Sequence, residues 1–272
     1  MRRLLTAAAV LALAAAVAAC GGSRSAGGGG PAAAPAAGFR TRTPGVLTVA
    51  TELPNPPFVI GDDLAHLKGG YEVDMVDEIA RRLRVPRVRW ISFPFNALVA
   101  GAPCPCDFDV NGVSIFPDRT QRVDFSAPYF TANQGVLVRK GTSVATMDAA
   151  RRLRFGVQKN SSGAFYLENT LKPVQNARVY DSTTAAFLAL RARQVDAVMS
   201  DVPIVLDGAR RDHQLTVAGQ FKTDEQYGAV LAKNSPNTRV LSGVIEQLRS
   251  EGFFDTLFQR YFPEQVKIPT LG

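Results

Sequence analysis

The chain has 272 residues, of which 46% are hydrophobic and 20% charged, and a formal net charge of +7. That length holds one large domain or two smaller ones with enough core to fold unaided. The composition excludes a disulfide-dense mini-protein, a collagen-like repeat and a wholly disordered chain. Three Cys and two His leave little material for a zinc or haem site.

Arg2 and Arg3 open the chain, and an apolar run from Leu4 to Ala19, broken only by Thr6, follows. The run is shorter than the ~20 residues of a membrane span and reads as a secretory signal peptide over 1–19. Its end, Val17-Ala18-Ala19-Cys20, resembles a bacterial lipobox, which makes Cys20 the expected lipidation site. Residues 21–44 are mostly Gly, Ala, Ser and Pro, with three Arg, two Thr, one Phe and no acid. Such a segment has no core to bury, so 20–44 is expected to be a lipidated Cys and flexible tether. Residues 1–44 carry five Arg and no acid, and the remainder carries 26 basic and 24 acidic residues. The folded part is therefore close to neutral, which removes most of the argument for nucleic-acid binding.

From Val46 the pattern alternates short apolar runs with helical periodicity. Val46 to Ala50 reads as a strand. Tyr71 to Leu83 reads as a helix with Met75, Val76, Ile79, Ala80 and Leu83 on one face. Its acids, Glu72 and Asp74, lie in the first turn and its arginines at the end, complementing the helix dipole. Val88 to Ile91 is the next strand, Asn96 to Ala100 a short helix, and Phe108 to Val113 a strand. Gly135 to Arg139 reads as a strand leaving this region.

A second series then begins. Strands are expected at Arg154 to Val157, Ala177 to Tyr180 and Asp196 to Ser200, with helices at Gly163 to Leu171 and Thr183 to Arg193. Gln226 to Ala232 reads as a returning strand and Asn237 to Arg249 as a helix broken by Gly252. The following Phe253, Phe254, Leu257, Phe258, Tyr261 and Phe262 keep helical spacing and read as core packing. Alternating strands and helices imply an α/β protein with two lobes, mainly parallel sheets and a cleft between them.

Several segments carry a more specific signal. Gly70-Tyr71-Glu72-Val73-Asp74-Met75 places a Gly, an aromatic and two alternating acids before the helical series. Asn111-Gly112-Val113-Ser114-Ile115-Phe116-Pro117-Asp118-Arg119 is followed by Val123-Asp124-Phe125-Ser126 and Pro128-Tyr129-Phe130. Gly156-Val157-Gln158, Ser161-Ser162, Val195-Asp196-Ala197-Val198, Ser200-Asp201 and Tyr227-Gly228 complete the pattern. Over 45–265 the chain resembles the family 3 bacterial solute-binding proteins, the amino-acid-capturing subunits of ABC importers. The resemblance implies a two-lobed type II periplasmic binding protein fold with a mixed sheet in each lobe. Lobe 1 is expected over 45–134 plus 233–272 and lobe 2 over 135–232. It further implies a monomer outside the cytoplasm, anchored by its lipid and delivering a small ligand to an ABC permease, with no cofactor and no metal.

An α-amino acid is a zwitterion, so its capture needs a cation and an anion at fixed separation. Arg119 stands at the family position that grips the α-carboxylate, where a guanidinium binds bidentately. The backbone N–H groups of Ser114 and Ser162 are expected to assist. Asp201 stands at the position that takes the ammonium, with the Gly112 carbonyl and the Ser114 hydroxyl; its alternative reading is a helix N-cap. Asp196 reads as structural. Glu52 matches an often acidic position near the ligand side chain, Phe95 an aromatic or apolar platform, and Gln158 a position facing the cleft. Asn55 departs from the family, which usually carries an aromatic there. Phe58 and Tyr129 either substitute for it or belong to the core. Together these positions favour a polar amino acid.

Cys104-Pro105-Cys106 is the remaining oddity: outside the cytoplasm the pair either bridges or stays free. Two other functions compete. One is an enzyme resembling cyclohexadienyl dehydratase, for which Arg119 against Asp201 and Glu52 poorly matches a dianionic substrate. The other is a ligand-sensing subunit of a membrane receptor, which usually carries a span and a signalling domain after the binding fold.

Overall fold

The computed structural model describes residues 38–262 and 268–271. The expected signal peptide 1–19, Cys20 and most of the expected tether lie outside the described residues.

Strand β1 (Val46–Thr51) is buried along its whole length, as an apolar strand covered on both faces must be. A small hairpin, β2 (Ile60–Gly61) and β3 (Leu67–Gly69), leads to helix α1 (Tyr71–Leu83). Gly70 joins them at φ 134°, and a Cβ there would stand 2.2 Å from the carbonyl oxygen of Phe58. Only glycine fits such an approach in that conformation. Met75, Val76 and Ile79 face the core from α1, as their spacing predicts. Strand β4 (Arg87–Ser92), helix α2 (Phe95–Val99), strand β5 (Phe108–Asp109), helix α3 (Pro117–Thr120) and strand β6 (Val123–Phe125) follow.

Strand β7 (Phe130–Arg139) enters the second lobe, which contains α4 (Met147–Arg151), β8 (Phe155–Gln158), α5 (Ser162–Tyr166), β9 (Arg178–Tyr180), α6 (Thr183–Arg191), β10 (Ala197–Asp201) and α7 (Val202–Arg211). Strand β11 (Leu215–Tyr227) leads back to β12 (Val230–Ala232), α8 (Thr238–Ser250) and α9 (Phe253–Tyr261). The first sheet has the order β4-β1-β5-β12-β6 and the second β11-β7-β10-β8-β9. Both are mixed: β1 runs parallel to β4 and β5, whereas β12 is antiparallel to β5 and β6. In the second sheet β8 runs parallel to β10 and β9, and β7 antiparallel to β10 and β11.

The paired strands β7 and β11 connect the two lobes. Phe130, Ala132 and Tyr227 belong to the first core, and Val136, Val138 and Phe221 to the second. Their pairing is irregular between Phe221 and Glu225, beside the site described below.

The structure departs from the sequence reading in several places. Residues 38–44 are not free: the Phe39 ring meets Phe108 edge-on at 6.5 Å, Arg40 N–H donates to Asn237, and Arg42 N–H donates to Asp107 at 2.7 Å. One large aromatic residue and two waiting side-chain acceptors are enough to pin the segment. The strand expected through Val113 stops at Asp109, because Gly112 turns with φ 58° and donates its N–H to Glu72. The helix expected at Gly163 to Leu171 starts at Ser162 and ends in a π-helical turn, Leu167–Leu171. The return is two strands, with β12 in the first sheet. Leu271 packs into the second core while Leu271 N–H donates to the Gln220 carbonyl, so the chain beyond α9 touches lobe 2. Cys104 and Cys106 are bridged, with Cα atoms 5.2 Å apart.

Candidate functional site

Strand ends and helix starts of both lobes face one cavity of ≈ 540 Å³. Glu52, Asn55, Phe95, Gly112 and Arg119 line it from the first lobe, and Gln158, Ser162 and Asp201 from the second. Of the nine residues singled out from the sequence, only Ser114 is not on its wall.

Arg119 sits on α3, the short helix that Pro117 starts, and is buried. Its guanidinium lies 5.6 Å from the Phe95 ring centre and 5.1 Å from that of Phe116. Such faces support a cation and fix the plane of its fork. Nη1 donates to the Ser114 carbonyl at 2.7 Å and Nη2 to the Asn160 carbonyl at 2.9 Å. Two carbonyls orient the group without neutralising it. Burial pushes its pKa down to about 10, against the pull of Asp201 and Glu225, so it remains charged at neutral pH.

Asp201 ends β10 and occupies the residue before α7, yet its side chain makes no capping bond. Asp201 thus holds the N-cap position of α7 while its carboxyl is engaged elsewhere. Oδ2 instead accepts Tyr227 O–H at 2.5 Å, and Oδ1 accepts the Gln134 amide, with Ser162 Oγ at 3.4 Å. Burial, and then the charge of Glu225, push Asp201 up to about 7.

Ser114 differs from its expected role. Its hydroxyl donates to Glu225 Oε2 at 2.8 Å, turned away from the cavity. A buried carboxylate accepts a hydroxyl more strongly than a neutral carbonyl does.

At the other end of the cavity Gln158 Nε2 approaches Glu52 Oε2 at 3.4 Å across the lobes, and Thr183 O–H donates to Gln158 Oε1 at 2.9 Å. Desolvation raises Glu52 above the usual carboxylate range. Asn55 lies on the wall and donates to Asn111 Oδ1 at 3.2 Å. Phe58 and Tyr129 resolve to the core: Phe58 is fully buried among Tyr71, Phe130 and Tyr227, and Tyr129 O–H donates to Glu72. Phe254 and Leu257 of the aromatic stripe are core residues as well. Asp196 clasps Arg154 at 2.7 Å and Arg139 at 3.2 Å at the start of β10, far along the strand from the cavity.

Gln134, Asn160, Glu225 and Tyr227 were missed as site residues. Tyr227 stood in a quoted motif, and Glu225 lies two residues before it, on the same face of a strand. That spacing was the available signal. Asn160 acts through its carbonyl and left none.

Residues 47–264 match the bacterial extracellular solute-binding proteins, family 3, and the chain belongs to that family. It is 29% identical over 245 residues to a probable histidine-binding protein of Neisseria gonorrhoeae, covering 85% of this chain and 87% of that one. Among solved structures it resembles an ancestral arginine-binding protein bound to glutamine, at TM-score 0.71 and 28% identity over 82% of this chain and all of the other. An ancestral amino-acid-binding protein described as a precursor of cyclohexadienyl dehydratase shares the fold, at TM-score 0.70 and 22% identity over 80% of this chain and 95% of that one. The protein is thus an extracytoplasmic solute-binding protein with the two-lobed fold expected from its motifs.

Proposed function

We propose that this protein captures a polar amino acid between its lobes and delivers it to an ABC permease. The observation that carries the reading is the pairing of Arg119 and Asp201 across one buried cavity, a cation from the first lobe facing a carboxyl group from the second. The ligand's α-carboxylate docks on Arg119, helped by the Ser162 N–H, and its ammonium on Asp201 and the Gly112 carbonyl. One molecule then bridges both lobes and favours the closed form by binding it more tightly. Glu52, Gln158 and Asn55 meet the side chain, with Phe95 as a platform. Two acceptors and an acid in that place suit a basic or amide side chain. The relatives named for histidine and arginine binding support this class.

Cys20 carries the lipid that holds the monomer at the membrane. The dehydratase reading needs a second free cation for a dicarboxylate. The other arginines on the wall, Arg191 and Arg211, are held by Asp212 at 3.0 Å and Asp207 at 2.5 Å, which supports binding rather than elimination.

A thermal-shift screen with the twenty amino acids tests the reading. A ligand at 1,000 times its Kd adds about 4 kcal/mol of stability. A shift with basic or amide amino acids is expected, and no shift with any amino acid would overturn the proposal.

A further inference from the structure

Glu225 lies on β11, is buried, and is not on the cavity wall. Its Oε2 accepts Ser114 O–H, while Oε1 lies 3.2 Å from Gln134 Nε2. The same nitrogen donates to Asp201 Oδ1 and stands 3.1 Å from Ser162 Oγ. An amide nitrogen has two hydrogens, so three acceptors compete for them. Gln134 Oε1 has no partner among the described residues. Two carboxylates therefore flank one buried amide.

Several groups face Asp201. They are Arg119 from α3, Glu225 and Tyr227 from β11, and the neutral Gln134 of β7 and Ser162 of α5. Tyr129 stands behind Tyr227, with ring centres 6.3 Å apart. One guanidinium thus faces two carboxylates. Asp201 and Glu225 are both buried, and neighbouring acids in such a space resist ionising together.

We propose that Glu225 is a positioning residue of the ammonium site: its charge, added to the burial of the site, keeps a proton on Asp201 in the ligand-free protein, and a ligand ammonium docking on Asp201 expels that proton to solvent. The inference rests on the amino-acid-capture reading and deepens it. The position of Asp201 near 7 agrees with it. A turn of the Gln134 amide would offer the unpartnered Oε1 to the protonated carboxyl, and the reverse turn restores the donor once the proton leaves. Binding then exchanges one positive charge for another, and the buried site never holds two bare carboxylates.

The test is titration calorimetry at pH 6 with L-arginine and L-glutamine as probes, in two buffers of different ionisation heat. Close to one proton released per ligand is expected, with affinity increasing about tenfold for each unit that pH is raised towards 7. In Glu225→Gln the release falls and the pH dependence moves to more acid values, whereas Glu225→Asp restores it. A merely structural role would weaken binding equally at every pH. Binding by the wild type without proton release overturns the inference alone; no binding heat with either probe overturns the capture reading beneath it.

Carboxyl NMR of the ligand-free wild-type protein gives a reading that needs no variant of Glu225. An aspartate signal titrating near neutrality and missing in Asp201→Asn is expected. Its absence overturns the inference whether or not Glu225→Gln folds.

Discussion

The guanidinium of Arg119, in the first lobe, donates to the main-chain carbonyl of Asn160, in the second, at 2.9 Å. The side chain proposed to grip the ligand carboxylate is therefore also a contact between the lobes. Its other bond, to the Ser114 carbonyl, ties it to its own lobe. A ligand carboxylate arriving here meets a fork already aimed and already desolvated.

Removing that fork is the most direct mutational test of the capture reading. Arg119→Ala is expected to weaken amino-acid binding by roughly 3 kcal/mol or more, because the ligand carboxylate would be buried unpaired. Arg119→Lys should recover only part of this, since an ammonium cannot make the two-pronged bond. Titration calorimetry measures both, and affinity unchanged in Arg119→Ala would remove Arg119 from the site.

Selectivity should turn on Glu52. In Glu52→Gln the preference for a basic over a neutral amide amino acid is expected to fall at least about tenfold, which is ~1.4 kcal/mol. Competition between L-arginine and L-glutamine reads the ratio directly. An unchanged ratio would place the ligand side chain elsewhere.

The ligand-free protein should lose stability as pH rises from 5 to 7. Burial lifts Glu72 to about 7 from 4.5, against the opposing bonds from Tyr129 and the Gly112 N–H. Below the lower value both folded and unfolded chains hold the proton. Between the two values only the folded chain holds it, so unfolding releases a proton and becomes easier as pH rises. The loss for Glu72 is complete above the upper value and amounts to about 3 kcal/mol. Asp201 and the fully buried Asp109, also raised by desolvation, add to the same slope. Urea unfolding at pH 5, 6, 7 and 8 should show the fall, and Glu72→Gln should flatten it. A slope unaltered by that substitution would contradict the assignment.

Gly70→Ala should destabilise by roughly 2–4 kcal/mol, since the new Cβ meets the Phe58 carbonyl in a backbone region costly to any other residue. Denaturant midpoints measure this. A near-neutral effect would mean that the turn before α1 can relax.

Elements with strong local periodicity were legible without a structure. Helix α1 matches its expected span because its apolar residues recur at the helical period, its charges suit the dipole, and Gly70 leaves it no room to begin earlier. Strands β1, β4, β8 and β10 fall within a residue or two of expectation, since β1, β8 and β10 are built on short apolar runs and β4 on alternating Val88, Trp90 and their exposed neighbours. Strand β11 was mostly invisible. Its sequence, LTVAGQFKTDEQY, lacks alternation, and it is a strand because β7 pairs with it along its length.

The near-neutral folded body and the pairing of Arg119 with Asp201 follow from residue identity and motif spacing, which are local properties of the chain. The partners of those two residues do not. Gln134 and Glu225 reach Asp201 from strands 67 residues before it and 24 after it, and no window of sequence joins positions so far apart. Only the crossing of β7 and β11 beneath the cavity brings two buried acids to one amide. Burial there, rather than residue type, decides that Ser114 turns to Glu225 and pushes Asp201 above the usual carboxylate range.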